Sequence, residues 1–196
     1  MREAIKSIIY VICKALVSPL AIPVRLLERW DRQENLFQFA SQFMSIFPGI
    51  PGEYLRRAFY IWVLDCLTPG PTIGFGTIFA QRNTAIGKNV YIGPFCNIGS
   101  SAIGDDVLIG SNVSIASPRI HGIDSLDVPI RLQDGKVEKI SIGNGSWIGN
   151  GAIILSDVGA ECVIGAGTVV AKACEQNGIY VGNTARLVRF RSNSKQ

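Results

Sequence analysis

An aliphatic residue recurs about every six positions between residues 73 and 170, and a glycine usually follows it. The stretch from residue 140 to residue 171 shows the pattern most clearly: ISIGNGSWIGNGAIILSDVGAECVIGAGTVVA. Neither an α-helix nor a flat strand explains this interval, because a helix repeats about every 3.6 residues and a strand alternates about every two. The aliphatic positions of the series are Ile73, Ile86, Ile92, Ile98, Ile103, Ile109, Ile115, Ile142, Ile148, Ile154, Ile164 and Val170.

A triangular solenoid explains both the interval and the glycines. Each hexapeptide forms one flat side, its aliphatic side chain points into the prism, and a small or β-branched residue four positions later also turns inward. Glycine and asparagine serve the tight corners, where a positive φ is required. Three hexapeptides make one turn of about 18 residues, and stacked turns pair as parallel strands about 4.8 Å apart. Because one turn cannot bury its own inner face, several must stack, and the series predicts a mainly β fold of about four to five turns.

The composition indicates one core-bearing domain with an extension. The chain has 196 residues, of which 47% are hydrophobic and 17% are charged. Its formal net charge is only +4, and basic residues do not interleave with aromatic ones, so nucleic-acid binding is not expected. Five cysteines without a CxxC pair do not make a disulfide framework or a zinc site. We therefore expect buried thiols, a reducing compartment and no bound metal.

Residues 1–70 differ from the repeat and are predicted to form a helical N-terminal extension. The first apolar segment is broken by Lys6, Lys14, Pro19 and Pro23, which leaves it short for a membrane-spanning helix. A signal peptide is also not favoured, because no clear A-x-A cleavage site follows. Two interpretations stay open: the helix lies in a membrane interface, or it packs on the rest of the protein or a partner subunit. The stretches ENLFQFASQFMSIF and GEYLRRAFYIWVLDCL predict two more amphipathic helices, which PGIPG separates.

A loop at residues 117–139 interrupts the solenoid and contains the only histidine of the chain, His121. Insertions of this length in a compact domain are usually functional or disordered. Imidazole ionises near neutral pH, which suits a general base that removes a proton from an attacking hydroxyl. Asp124 is a candidate to orient that imidazole, although a backbone carbonyl would serve equally and loop carboxylates are commonly only solvated.

More than ten repeat units, the position of the loop and three short stretches resemble the hexapeptide-repeat acyltransferases, whose fold is a left-handed parallel β-helix. The stretches are His121-Gly122, DVPI at 127–130 and SWIGNGA at 146–152, and they are most similar to sugar O-acetyltransferases of bacterial exopolysaccharide and O-antigen clusters. The resemblance covers residues 71–190. It implies an acyltransferase domain at 71–178 and a tail at 179–196, where Thr184 replaces the proline of the family's closing motif.

The resemblance also implies a mechanism and a homotrimer. Acetyl-CoA is the expected donor, His121 the general base in a cleft between neighbouring subunits, and the backbone amide of Asn150 the oxyanion donor. Trp147 either lines the acceptor pocket beside the cofactor or packs on the loop or a neighbouring subunit. The residues expected to contact the cofactor are Trp147, Asn150, Ala166, Ala171, Lys172, Arg186 and Arg189.

The expected activity is O-acetylation of a sugar hydroxyl in polysaccharide or lipid-linked glycan biosynthesis, in the cytoplasm or at the inner face of the membrane. An antibiotic O-acetyltransferase and a non-catalytic trimeric scaffold at the membrane stay open as alternatives. A γ-class carbonic anhydrase is excluded by counting, since its zinc site needs three histidines and the chain has one. A sugar nucleotidyltransferase would need a larger N-terminal domain than 70 helical residues supply.

Overall fold

The computed structural model describes residues 2–31, 34–66, 70–117 and 121–192, with only the backbone described for residues 2–7. In these residues, three α-helices precede a solenoid of short parallel strands. The helices are α1 (Arg2–Leu26), α2 (Asn35–Ser45) and α3 (Gly49–Val63).

The strands of the solenoid form three sheets, one on each side of a triangular prism, as the period of six predicted. Sheet A contains β1 (Asp65–Cys66), β4 (Ala85–Ile86), β7 (Ser101–Ile103) and β10 (Ile140–Ile142). Sheet B contains β2 (Thr72–Ile73), β5 (Tyr91–Ile92), β8 (Leu108–Ile109), β11 (Trp147–Ile148), β13 (Val163–Ile164), β15 (Gly178–Val181) and β16 (Arg186–Phe190). Sheet C contains β3 (Ile78–Phe79), β6 (Asn97–Ile98), β9 (Ser114–Ile115), β12 (Ile153–Ile154) and β14 (Val169–Val170).

The aliphatic residues of the series stack directly on one another inside the prism. In sheet B, Ile92 pairs with Ile109, Ile109 with Ile148, and Ile148 with Ile164, all buried. Sheets A and C hold equivalent ladders, so the hydrophobic core is continuous along the axis. The inward-facing ladder and the parallel pairing confirm the predicted β-helix.

The solenoid has about six turns, more than the four to five that the repeat predicted. Sheet B has six parallel layers and ends with β16, which pairs antiparallel with β15. The extra layers lie at the two ends. The first includes β1, before the first Ile-Gly pair, and the last is β15, which places Tyr180 rather than an aliphatic residue on Ile164. Both lack the six-residue signature, and counting Ile-Gly pairs therefore missed them.

Two kinds of glycine shape the corners, and only one needs a positive φ. Gly151, with a φ of 68°, has the left-handed backbone that the sequence predicted, as does Asn112 with 58°. The glycine directly after each isoleucine has no such φ, and it is needed for space instead. A Cβ on Gly149 would lie 2.5 Å from the nitrogen of Ala166 in the next turn. Successive turns therefore approach too closely at this position for any side chain.

The small residue four positions after the aliphatic residue turns inward, as predicted, and where it is Ser or Thr it links two turns. Buried Ser146 donates its hydroxyl proton to the carbonyl of Gly159 at 2.8 Å and accepts the N–H of Cys162 at 3.1 Å. Thr77 makes the same pair of contacts with Gly93 and Cys96, at 2.7 and 3.1 Å. These hydroxyls satisfy backbone groups that the corner removes from the strand ladder.

The helices share one hydrophobic core with the first turns of the solenoid. Arg56 of α3 is fully buried and donates to the carbonyls of Ile73 in β2 and Phe47, at 2.8 and 2.6 Å. Ser41 of α2 contacts Tyr60 of α3 at 2.8 Å and accepts the N–H of Phe79 in β3, also at 2.8 Å. The extension is thus joined to the prism by buried polar contacts as well as by packing.

Helix α1 runs through Pro19 and Pro23, and so the interpretation that these residues break the segment was wrong. Both prolines are exposed and lie four residues apart on the outer face. The carbonyl of Ala15, which Pro19 cannot bond because it lacks an N–H, accepts the Ser18 hydroxyl at 2.8 Å instead. The 19 residues from Ile8 to Leu26 are long and apolar enough to cross a membrane by length and composition alone. A core helix or a signal sequence would meet the same criterion.

Candidate functional site

The predicted site residues lie on two different corners of the prism. The B/C corner follows each strand of sheet B and, in the later turns, comprises residues 149–152 and 165–168. The C/A corner follows each strand of sheet C and comprises residues 155–157 and 171–173, and the loop 117–139 leaves from it after β9. The flat face of sheet C separates the two corners within one chain.

Asn150 and Ala166 are stacked on the B/C corner in successive turns. The Asn150 carbonyl accepts the N–H of Gly167 at 2.8 Å, and its side-chain Oδ1 accepts the N–H of Ser111 at 3.0 Å. Both Asn150 and Ala166 are exposed. Among the described residues, the N–H of Asn150 has no acceptor. The corner therefore carries a backbone donor without an acceptor among the described residues, on an exposed residue that two hydrogen bonds hold to the neighbouring turns.

Trp147 lies on the outer face of sheet B, directly before this corner. It pairs with Leu108 on one side and Val163 on the other, and it is half exposed. Tyr91 precedes Leu108 in the same ladder, so the outside of sheet B carries a row of apolar side chains. A row of this kind on a flat sheet fits a neighbouring surface, and Trp147 lies in it three residues before Asn150.

Ala171 and Lys172 lie on the C/A corner, away from Asn150 and Ala166. Both are exposed, and they follow β14 two layers beyond β9, the strand that leads into the loop. The structure thus places Lys172 on the same edge of the prism as the base of the loop. It does not bring this pair together with Asn150 and Ala166 on one corner of a single chain.

Arg186 and Arg189 are exposed residues of β16 at the last edge of sheet B. In the antiparallel pair, Arg186 lies opposite Val181 and Arg189 opposite Ile179. The two arginines therefore lie beyond Trp147 on the same sheet, several layers along the axis.

His121 lies in a concave surface formed entirely by the loop, with a cavity volume of about 520 Å³. Asp124, the predicted orienting carboxylate, lines the same cavity. The sequence interpretation did not single out Asp134 and Lys136, which the fold brings to the same cavity. The lining residues are His121, Gly122, Ile123, Asp124, Asp134, Gly135 and Lys136.

Gln133 holds the two limbs of the loop together, and the sequence interpretation missed it. Its Nε2 donates to the carbonyls of Ser125 and Val128 at 2.8 and 2.7 Å, and its Oε1 accepts the N–H of Ser125 at 3.1 Å. Behind His121, a Cβ on Gly122 would lie 2.6 Å from the carbonyl oxygen of Asp134, so the limbs are in close contact there. The only signal for Gln133 in the sequence was chemical. A glutamine side chain can both donate and accept hydrogen bonds, and the backbone groups of a loop have no strand partners.

Ser117 closes the base of the loop. Its hydroxyl donates to the carbonyl of Lys136 at 3.3 Å and accepts the N–H of Glu138 at 2.9 Å. The hydrogen bonds of Ser117 and Gln133 together constrain the backbone on both sides of the cavity. Residues 118–120 lie outside the described part of the chain.

The cysteines are free thiols and are poor nucleophiles. Burial raises the pKa of Cys66 to about 12 and that of Cys174 to about 11, so little thiolate exists at neutral pH. Burial also raises the pKa of Cys13, Cys96 and Cys162. Within the described ranges, no group of three or more His, Cys, Asp or Glu side chains could hold a metal ion.

A family model and several known proteins match this chain. The model of the bacterial transferase hexapeptide (six repeats) matches residues 83–117. The galactoside O-acetyltransferase of Escherichia coli K12 is 33% identical over 169 residues, which cover 75% of this chain and 83% of that protein. An E. coli K12 protein provisionally named as the lipopolysaccharide biosynthesis O-acetyl transferase WbbJ is 28% identical and covers 59% of this chain. A Schizosaccharomyces pombe protein provisionally named as an acetyltransferase is 33% identical over 48% of this chain.

Two solved structures share the fold. A maltose O-acetyltransferase from Clostridium difficile 630 superposes with a TM-score of 0.73 at 22% identity, covering 83% of this chain and 88% of that one. A galactoside acetyltransferase in complex with coenzyme A has a TM-score of 0.61 at 24% identity, with 80% of each chain covered. The chain spans 45% of the S. pombe protein and 62% of WbbJ, so it matches these two relatives over part of their length.

Proposed function

This chain belongs to the hexapeptide-repeat acyltransferase family, and on that premise we propose that it transfers an acetyl group from acetyl-CoA to a sugar hydroxyl. One observation carries the proposal: the only histidine lies with Asp124 in a cavity on the loop that leaves the solenoid. The 33% identity with a galactoside O-acetyltransferase over 169 residues supports this choice of donor and acceptor.

In the proposed reaction His121 is the general base. The acceptor hydroxyl gives its proton to the imidazole as its oxygen attacks the thioester carbonyl, which forms a tetrahedral intermediate with an oxyanion. The N–H of Asn150, which has no acceptor among the described residues, donates to that oxyanion. Collapse of the intermediate forms the ester, breaks the C–S bond and releases the CoA thiolate, which regains a proton from the imidazolium. Because the thioester is already activated, no acyl-enzyme is required.

The two corners explain why we propose a homotrimer. The loop with His121 leaves the C/A corner, whereas Asn150 lies on the B/C corner of the same chain. When two prisms lie side by side, a C/A corner of one can face a B/C corner of the other, and both groups then line one groove. The apolar row of Tyr91, Leu108 and Trp147 offers a flat surface for that association, which in a trimer contacts a different surface of the neighbouring chain. Trp147 then either lines the acceptor pocket or packs on the neighbouring subunit.

The donor would lie along the same groove. The backbone amides of Asn150, Ala166 and Ala171 would hold its pantetheine arm. Lys172, Arg186 and Arg189 are exposed cations that would bind its phosphates. Asp124 orients the imidazole in this proposal, since both line one cavity.

We place the reaction in the cytoplasm, where five free thiols persist. The acceptor class is a sugar of a polysaccharide or of a lipid-linked glycan. The relatives named for galactoside and lipopolysaccharide O-acetylation support that class.

The test measures thiol release from acetyl-CoA with a panel of free sugars, sugar nucleotides, lipid-linked sugars and chloramphenicol, and identifies products by mass spectrometry. The proposal expects stoichiometric O-acetylation of a sugar. Acetylation of the antibiotic alone would establish the xenobiotic activity instead. Acetyl-CoA binding by calorimetry is measured in parallel, and a chain that binds no acetyl-CoA would be a scaffold.

A further inference from the structure

The outer face of α1 is apolar from Ile8 to Leu26 and has no partner in the described part of the chain. Between residues 8 and 24 the only charged residue is Lys14. Its ammonium group lies over the rings of Tyr10 and Trp62, at 5.5 and 5.7 Å, and therefore off this face. Only 22% of the apolar window is buried. The exposed large side chains of the face are Ile8, Ile9, Val11, Ile12, Leu16, Ile22 and Leu26.

Helix α2, which contacts α1, adds exposed aromatic side chains and contains no charged residue. Phe39 and Phe43 are exposed and stacked, with ring centroids 6.3 Å apart. Ile46, directly after α2, is also exposed. Apolar exposure on both helices greatly exceeds the scattered single residues that a water-facing surface normally carries.

One exposed tryptophan and two exposed arginines lie at or just after the C-terminal end of α1. Trp30 is 84% exposed, and Arg25 and Arg29 are exposed beside it. Indole rings and guanidinium groups with this placement are typical of segments at the boundary between lipid acyl chains and headgroups. Arg25 forms an exposed ion pair with Glu28 at 3.1 Å, and Asp31 pairs with Arg82 at 3.1 Å. Arg29 is therefore a cation at this end that has no carboxylate partner among the described residues.

We propose that the outer face of α1, extended by α2, inserts into the interfacial region of an anionic lipid bilayer. This inference does not rest on the proposed enzymatic activity. The apolar face provides the insertion energy, and the guanidinium group of Arg29 beside Trp30, unpaired among the described residues, attracts anionic headgroups.

The helix lies in the plane of the bilayer and does not span it, because its opposite face is occupied. Cys13, Val17, Ala21 and Val24 are buried at helical spacing, and α1 packs against α3. Helix α3 is itself tied to the solenoid by the buried side chain of Arg56. A spanning α1 would have to leave these contacts, whereas a helix lying on the surface keeps them and buries only the outer face.

The test is co-sedimentation of the full chain with sucrose-loaded vesicles of phosphatidylcholine alone and of phosphatidylcholine with 30% phosphatidylglycerol. Leu16→Glu places a charge on the face at a side chain that is 66% exposed. Leu126→Glu is the matched control, because Leu126 is 99% exposed on the distant loop. Val11→Glu is a second variant on the face. Melting followed by circular dichroism identifies the folded variants.

The proposal expects binding that is stronger with phosphatidylglycerol and that weakens at high salt. It expects a loss of about 10-fold to 100-fold in Leu16→Glu and Val11→Glu, the cost of one uninserted Leu or Val, and unchanged binding in Leu126→Glu. Equal binding of folded variants and wild type, or no binding of the wild type to either vesicle, overturns it. A smaller oligomer of Leu16→Glu without lipid also overturns it, since a second copy would then cover this face.

Discussion

Substituting Gly149 and Gly151 separately tests why glycine recurs in the solenoid. The two residues lie on the same corner of one turn but are required for different reasons. A Cβ on Gly149 would meet the nitrogen of Ala166 at 2.5 Å, whereas a Cβ on Gly151 would meet nothing within 4 Å. Gly151 instead has a φ of 68°, which disfavours other residues through backbone strain alone.

The structure allows the cost of each change to be worked out. An ordinary contact in Gly149→Ala requires the two turns to separate by about 1 Å, since Cβ contacts normally begin near 3.4 Å. That shift weakens the hydrogen bonds from Gly149 to Ile164 at 2.7 Å and from Gly167 to Asn150 at 2.8 Å. Two hydrogen bonds at about 1 kcal/mol each and overpacking of about 1–3 kcal/mol give a loss of about 3–5 kcal/mol.

Gly151→Ala should cost only about 1–2 kcal/mol, the strain of an L-residue in the left-handed region. Gly151→Asn should cost less still, because Asn112 occupies the equivalent position one turn earlier with a φ of 58°. Urea unfolding followed by circular dichroism at fixed protein concentration gives the three free energies of unfolding. The reasoning is refuted if Gly149→Ala is no less stable than Gly151→Ala.

Three further predictions follow from the core, the loop and the thiols. Arg56→Met removes two charge-assisted hydrogen bonds and should lower the free energy of unfolding by about 3–6 kcal/mol in urea titrations. Arg57→Met is the control and should change the free energy of unfolding little, because the Nε of Arg57 has no partner in the described residues. Gln133→Ala loosens the loop and should lower kcat about ten-fold while KM for acetyl-CoA and Tm change little, as steady-state kinetics and melting will measure. Cys66 and Cys174 should resist alkylation at pH 8 in the folded protein but react in urea, as mass spectrometry will detect.

The thiols also set a pH dependence of stability. Burial raises the pKa of Cys66 from 9.0 to about 12, so above pH 9 the unfolded chain loses this proton while the folded chain keeps it. The stabilising contribution is therefore complete below pH 9 and falls as the pH rises from 9 towards 12. Urea midpoints between pH 8 and pH 10.5 should decline less steeply in Cys66→Ala than in the wild type. An equal slope would contradict the assigned burial.

The interior of the solenoid was predictable because its period belongs to no other element. Six-residue spacing placed Ile92, Ile109 and Ile148 on one ladder and Ser146 at an inward corner, as the structure has them. The ends were not predictable by the same argument. Tyr180 closes the ladder without the aliphatic signature, and so the turn count was too low.

The structures of the helical extension and the loop depend on contacts between residues far apart in the sequence, and no local sequence pattern predicts these contacts. The continuation of α1 through Pro19 and Pro23 depends on both prolines lying on the face away from α3. His121 could be singled out by counting, since the chain has no other histidine. The cavity around His121 could not be predicted from the sequence, because Asp134 reaches it only when Gln133 folds the loop back on itself. The separation of His121 and Asn150 onto different corners likewise appears only when the turns are stacked.

The most direct test of the account is a comparison of kcat/KM for acetyl-CoA-dependent sugar acetylation between the wild type and His121→Ala. The variant lacks the proposed base, so kcat/KM should fall about 100-fold or more while the affinity for acetyl-CoA stays unchanged. A wild-type kcat/KM in His121→Ala would contradict the account, because another group would then be the base.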